Sequence, residues 1–238
     1  MTAKDFDDRL LGRATGVDAP APPPAPDLMK AIAGMKPVKT RGRFGAFLTV
    51  ALLGLVAPVA SLLLRPLRRD LDALPMTWLV VASLAWGLAF VLTLAAALVP
   101  RRGDVLPAAG RASRVGTAAL VVLALFTLFA TVDAPGIPDH PVGTSALLSS
   151  CVHCAGYVAK VAAVFLIVGV LALRRLAPVG RSKLGMALGA AGGAMGGLVL
   201  VFLCPIGGAA HMLLGHVGGM ALAAVAGALL LPSLLRRR

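Results

Sequence analysis

Every cysteine and histidine of this chain falls in its second half: His140, Cys151, His153, Cys154, Cys204, His211 and His216. Thiolates and imidazoles are the soft and borderline ligands that zinc and its neighbours select, and a zinc site takes four of them in a tetrahedron. Cys151 and Cys154 form a C-x2-C, and Cys204 with His211 or His216 would complete such a set. Zinc or another transition metal is therefore the one cofactor the residues suggest. A C-x2-C facing an oxidising compartment would equally close a disulfide or act as a redox switch. The third reading is that small polarizable cysteines and interfacial histidines simply pack at helix ends. Spacing alone leaves all three open. On a helix Cys151 and Cys154 would lie about 60° apart and share a face, with His153 turned away and in line with Lys160.

The elements that carry these residues are membrane helices. The chain is 58% hydrophobic and only 14% charged, with a mean hydropathy of +0.89. A soluble domain carries about a quarter charged residues. A helix crossing a bilayer needs about 20 apolar residues, and stretches of that kind occupy 44–64, 76–99, 115–132, 147–173, 184–203 and 217–235. The expected fold is all-α, an integral membrane bundle of six transmembrane helices with a short, partly disordered N-terminal tail. Residues 1–43 form the tail and 44–238 the membrane domain. The polar start, with no short apolar stretch before the first span, argues against a cleavable signal peptide.

The formal charge of +13 comes from 23 Lys and Arg against ten acids, all Asp. Nineteen of the basic residues fall in the tail, in 101–114, in 174–183 and at 236–238, all on one side of the expected bundle. Cytoplasmic segments are enriched in this way, so a multi-pass protein of the bacterial inner membrane is expected, both termini cytoplasmic. The charge runs then anchor to lipid headgroups. One Tyr and two Trp offer no stacking platform, which sets nucleic acid aside as a direct partner. Lys and Arg alone set this topology, so it is independent information that all the cysteines and histidines share the non-cytoplasmic side.

Lys160 is the one charged residue well inside a span, a functional-site hypothesis by default. It lies about 9 Å along the helix from Cys154 and is expected to snorkel to the outer interface. Gly185, Gly189, Gly193 and Gly197 recur every four residues, with Gly192 and Gly196 beside them, and the last span offers Gly219, Ala223 and Gly227. Small residues at that interval let two helix backbones approach closely. The last two spans should therefore pack together and bring Cys204 toward His211 and His216.

In the tail, residues 19–27 (APAPPPAPD) are extended by their prolines. Beyond them Asp27 can cap a short helix in which Leu28, Ile32 and Met35 share a face. It is too short to fold alone, so it is either a disordered leader or a segment that folds on a partner. As a partner-binding segment its contacts would be Leu28, Met29, Ile32 and Met35, with Lys36, Lys39 and Arg41 steering toward an acidic surface.

Several of these segments carry a family likeness. Leu28 through Met35 precede Lys36-Pro37-Val38-Lys39, Trp78-Leu79 opens the second span, and Cys154 closes Ser149-Ser150-Cys151-Val152-His153-Cys154. Together with Cys204-Pro205 these resemble the NrsF-type membrane-embedded anti-sigma factors, with Cys154 and Cys204 on the two family cysteines and Cys151 where an aromatic is usual. The chain departs where Ile206-Gly207-Gly208 replaces acidic residues and Ser, and where the stretch His211 to His216 replaces aromatics.

The resemblance implies a regulator with no enzymatic activity. Its tail would sequester an extracytoplasmic-function sigma factor and release it when the outer cysteines meet a metal or an oxidant. Cys154 and Cys204 would be the sensing pair, with Cys151, His211 and His216 as auxiliary ligands. Two other classes compete. A membrane thiol-disulfide oxidoreductase working from the C-x2-C would need a second cysteine pair, and only Cys204 is left over. A small metal transporter would need polar groups inside the membrane, and no Asp or Glu lies in a span.

Overall fold

The computed structural model describes residues 43–99, 109–129, 144–174 and 180–236. The tail, with Leu28, Met29, Ile32, Met35, Lys36, Lys39 and Arg41, lies outside these residues, as does His140. Among the described residues there are helices and no strand, and six helices are long and apolar enough to cross a membrane. In chain order spans one to six are Gly45–Leu64, Met76–Leu98, Gly110–Leu128, Ser145–Leu173, Arg181–Leu203 and Ala209–Leu235. Exposed Leu52, Leu63, Leu64, Val122, Leu222 and Leu229 face outward. A soluble monomer does not display so much contiguous apolar surface, and this exterior suits hydrocarbon.

Spans one, two, four and five begin and end within three residues of the expected limits. Span three starts earlier than hydropathy suggests, because its helix takes in Arg111 and Arg114. Arg111 donates from Nη2 to the carbonyl of Val99 at 2.7 Å, just past the end of span two, so the charge helps to close a helix end. Span six begins eight residues before the expected 217, for a reason that belongs to the histidines below. Span one is interrupted at Leu55. Pro58 has no N–H to offer the carbonyl of Gly54, which is where the regular hydrogen-bond ladder is broken.

Span five is the axis of the bundle: 78% of its most apolar stretch is buried, against 17% for span one. Its glycines explain why. A Cβ on Gly185 or Gly189 would land on the carbonyls of Gly227 and Ala223 in span six, and one on Gly193 would meet the Met220 backbone. The Gly192 and Gly196 side is pressed instead against Ala162 and Val158 of span four. The expected pairing of spans five and six is thus present, with two changes. Gly219 serves the contact of span six with Ala155 and Val158 of span four, and Gly197 makes room for the ring of Trp86 from span two. Trp86 and Phe165 are fully buried, and Phe165 meets Phe90 edge-on at 5.4 Å. Lys160 stands exposed on the outside of span four.

Candidate functional site

The arrangement of chemical interest forms where spans four, five and six meet at one end. Cys154 comes from span four, on a buried face it shares with Cys151, while His153 is turned out and exposed, as helical spacing requires. Cys204 follows the last residue of span five. The proline after it disfavours helical backbone, and Cys204 is extended at φ −93°, ψ 118°, its N–H still bonded to the carbonyl of Leu200.

His211 ends a short α-turn, Ala209–His211, that passes directly into a π-helix, Met212–Val217. Five residues apart on an α-helix, His211 and His216 would diverge by about 140°. The wider i→i+5 turn stacks them on one side, and their ring centroids are 5.5 Å apart. This turn is also why span six starts early: the histidines are part of the helix rather than of the loop before it.

Ligand atoms of Cys154, Cys204, His211 and His216 all lie within 4.8 Å of one another, and all four residues are buried. The Cys154 thiol donates to Cys204 Sγ at 3.7 Å, and Cys204 Sγ lies 3.3 Å from His211 Nε2. All three cysteines are free thiols. Cys151 is not in the foursome: its sulfur sits 3.6 Å from His211 Nδ1, on the far side of that ring. A cavity of about 740 Å³ has Cys154 and Cys204 in its lining, with Arg65, Ser150, His153 and Tyr157. Arg65 lies 5.3 Å above the ring of Tyr157. Two close thiols with two imidazoles can take a soft cation, or can lose two electrons and close a disulfide.

Three neighbours were not legible in advance. Ser150 Oγ stands 3.3 Å from His211 Nδ1, supplied by the same helix as Cys154. Trp86 packs 6.5 Å from the His216 ring. The third is Arg68, one of three Arg (Arg65, Arg68, Arg69) that fall on the other side of the expected bundle, beside Asp70 and Asp72, and it is buried. It forms a bidentate ion pair with Asp70, Nε to Oδ1 at 2.7 Å and Nη2 to Oδ2. It also donates to the carbonyls of Val201 and Pro205, at 3.5 and 3.2 Å, while its own N–H bonds the carbonyl of Phe202. The last carbonyls of a helix have no partner within it, so the segment between spans one and two caps span five and holds the Cys204 turn. An Arg beside two Asp in the sequence was the only signal for this.

Removing one member of a buried ion pair strands the other charge, a loss of about 3–5 kcal/mol. Arg68→Ala should therefore lower the melting temperature of the purified chain markedly, and an unchanged melt would show that the pair does not hold this end. The Arg68 hydrogen bond keeps the Asp70 carboxyl below its ordinary value. The pair's contribution is accordingly whole at neutral pH, and is lost only as pH falls through that lowered value, below about 3.9.

No curated protein and no solved structure gives a significant match to this chain. A family model does: that of NrsF, negative regulator of sigma F, matches residues 32–236. The match takes in all six spans and the four clustered residues, and it begins inside the tail, past Leu28 and Met29 and at Ile32. With so much of its length accounted for, the chain belongs to the NrsF family of negative regulators of sigma factor.

Proposed function

We propose that this chain holds an extracytoplasmic-function sigma factor at the bacterial inner membrane through its tail, and releases it when a metal or an oxidant reaches the Cys154–Cys204 end. The observation that carries this reading is the family match, which runs from the tail through every span. In this reading both termini are cytoplasmic, where nineteen basic residues fall, and the cluster faces outward. Leu28, Met29, Ile32 and Met35 make the apolar contact, and Lys36, Lys39 and Arg41 steer the approach of an acidic partner. The chain acts as a regulator, without turnover, and it has no direct contact with nucleic acid.

The cluster suits a sensor because its members come from three different spans. Whatever joins them changes how those helices sit. A disulfide between Cys151 and Cys154 would stay on one turn of one helix and constrain nothing else. The binding claim is tested by retention of sigma factor on the full-length chain in detergent and on a peptide of residues 1–43. Retention by both is expected. The proposal is sunk if neither retains a sigma factor, and Leu28→Asp with Ile32→Asp should abolish retention while leaving the chain in the membrane.

A further inference from the structure

We infer that Cys154, Cys204, His211 and His216 form a closed, four-coordinate site for a divalent d10 cation such as zinc or cadmium, and that His216 is one of its ligands. This deepens the regulatory reading by naming the ligand of that same site.

Two separations match a tetrahedral site directly, and the other ligand atoms, all within 4.8 Å of one another, need to close in on the ion by about an ångström. Two sulfurs each 2.3 Å from a tetrahedral metal are about 3.8 Å apart, and a sulfur and an imidazole nitrogen about 3.6 Å. The observed separations are 3.7 Å for Cys154 to Cys204 and 3.3 Å for Cys204 to His211 Nε2. A disulfide would need the sulfurs at about 2.05 Å. His211 is arranged as a ligand histidine is, with Nε2 toward the cluster and Nδ1 toward Ser150 Oγ, since such a ring commonly uses its second nitrogen to hold its orientation.

His216 supplies an independent observation. It is fully buried, and neither Nδ1 nor Nε2 has a hydrogen-bond partner among the described residues. A buried polar group left so is costly, and a metal–nitrogen bond removes the cost. The π-helix turns its ring into the cluster, and such turns gather at functional sites. Charge sets the class of ion. Loading replaces two thiol protons by the cation, so a divalent ion leaves the buried site neutral. The absence of any carboxylate from the set disfavours magnesium and calcium. With four protein ligands no position is left for substrate, which is the pattern of a locking site rather than a catalytic one.

Titration of the purified full-length chain with Co2+ tests this. One equivalent should give the intense visible bands of tetrahedral cobalt with thiolate charge transfer, and Zn2+ should displace it. His216→Gln should weaken binding by more than about 100-fold, beyond the 10- to 100-fold of an outer-shell partner such as Ser150→Ala, and Cys151→Ser, a second neighbour of His211 Nδ1, should lose no more than Ser150→Ala does. X-ray absorption of the zinc-loaded wild type should show two sulfur and two nitrogen neighbours, a reading that needs no variant to fold. Octahedral cobalt, a zinc shell without sulfur, or a His216→Gln chain that binds normally would overturn the site. Cobalt is read on the chain alone. A chain that binds it but retains no sigma factor leaves this site standing and sinks the regulator, and the converse sinks only the site.

Discussion

Cells in which Cys154→Ser or Cys204→Ser replaces the wild-type chain are expected to keep the sigma factor captive under metal or oxidant, with its target transcripts at their unstressed level. The effect should be complete for each, because each residue is the sole contribution of its span to the cluster: Cys154 from span four, Cys204 from the end of span five. Neither metal nor disulfide can then tie those two elements together. Cys151→Ser should respond as wild type, since that sulfur faces the far edge of His211. The readout is transcript abundance before and after exposure, with membrane levels of each variant held equal. A normal response in both Cys154→Ser and Cys204→Ser would reduce the two residues to packing and void the sensory reading. Under the proposed function a signal from the cluster would travel along span five, whose glycine-lined contact with span six continues toward Gly185 and Gly227 at the opposite end. A small change in how the two helices meet at Cys204 and His211 biases that whole seam.

The second large effect concerns that seam itself. Gly189→Leu should leave no folded bundle: even the first carbon of the new side chain would fall on the carbonyl of Ala223, and backbone cannot yield as a flexible side chain does. Overpacking a core costs about 1–3 kcal/mol where side chains can adjust, and separating two helices along their length costs more. Gly185→Leu, set against the carbonyl of Gly227, should behave alike. Gly45→Ala and Gly87→Ala meet nothing within 4 Å and should be neutral. Recovery of monodisperse protein from membranes and its melting in detergent measure the contrast. A Gly189→Leu chain that purifies and melts like wild type would show that spans five and six are not in the contact described.

Hydropathy alone placed four of the spans within three residues of their limits, because a run of about 20 apolar side chains has few alternatives to a helix in lipid. The four-residue spacing of glycine also announced the close packing of spans five and six, since a missing Cβ is a local property that tertiary context does not need to supply. The limits of spans three and six were less visible. Arg111 and Arg114 depress the hydropathy of a helix that nevertheless contains them, and a π-turn has no compositional signature.

At the cluster, residue type and the shared end of the spans named Cys154, Cys204, His211 and His216 as candidates, together with Cys151, which the fold leaves to one side. The family resemblance paired Cys154 with Cys204, but helical spacing by itself could not choose between Cys151 and Cys154. Cys151 and Cys154 share a helix face and both are buried, so only the position of the neighbouring spans decides which sulfur meets Cys204. His211 and His216 stand on different faces of an α-helix and on one side of a π-helix, and residue type does not announce which backbone the segment adopts. Arg68 shows the same division most plainly. Its charge could be counted from the sequence, but whether it reached lipid headgroups or the carbonyls at the end of span five depended on a fold that brings residues more than 130 positions apart into hydrogen-bonding distance.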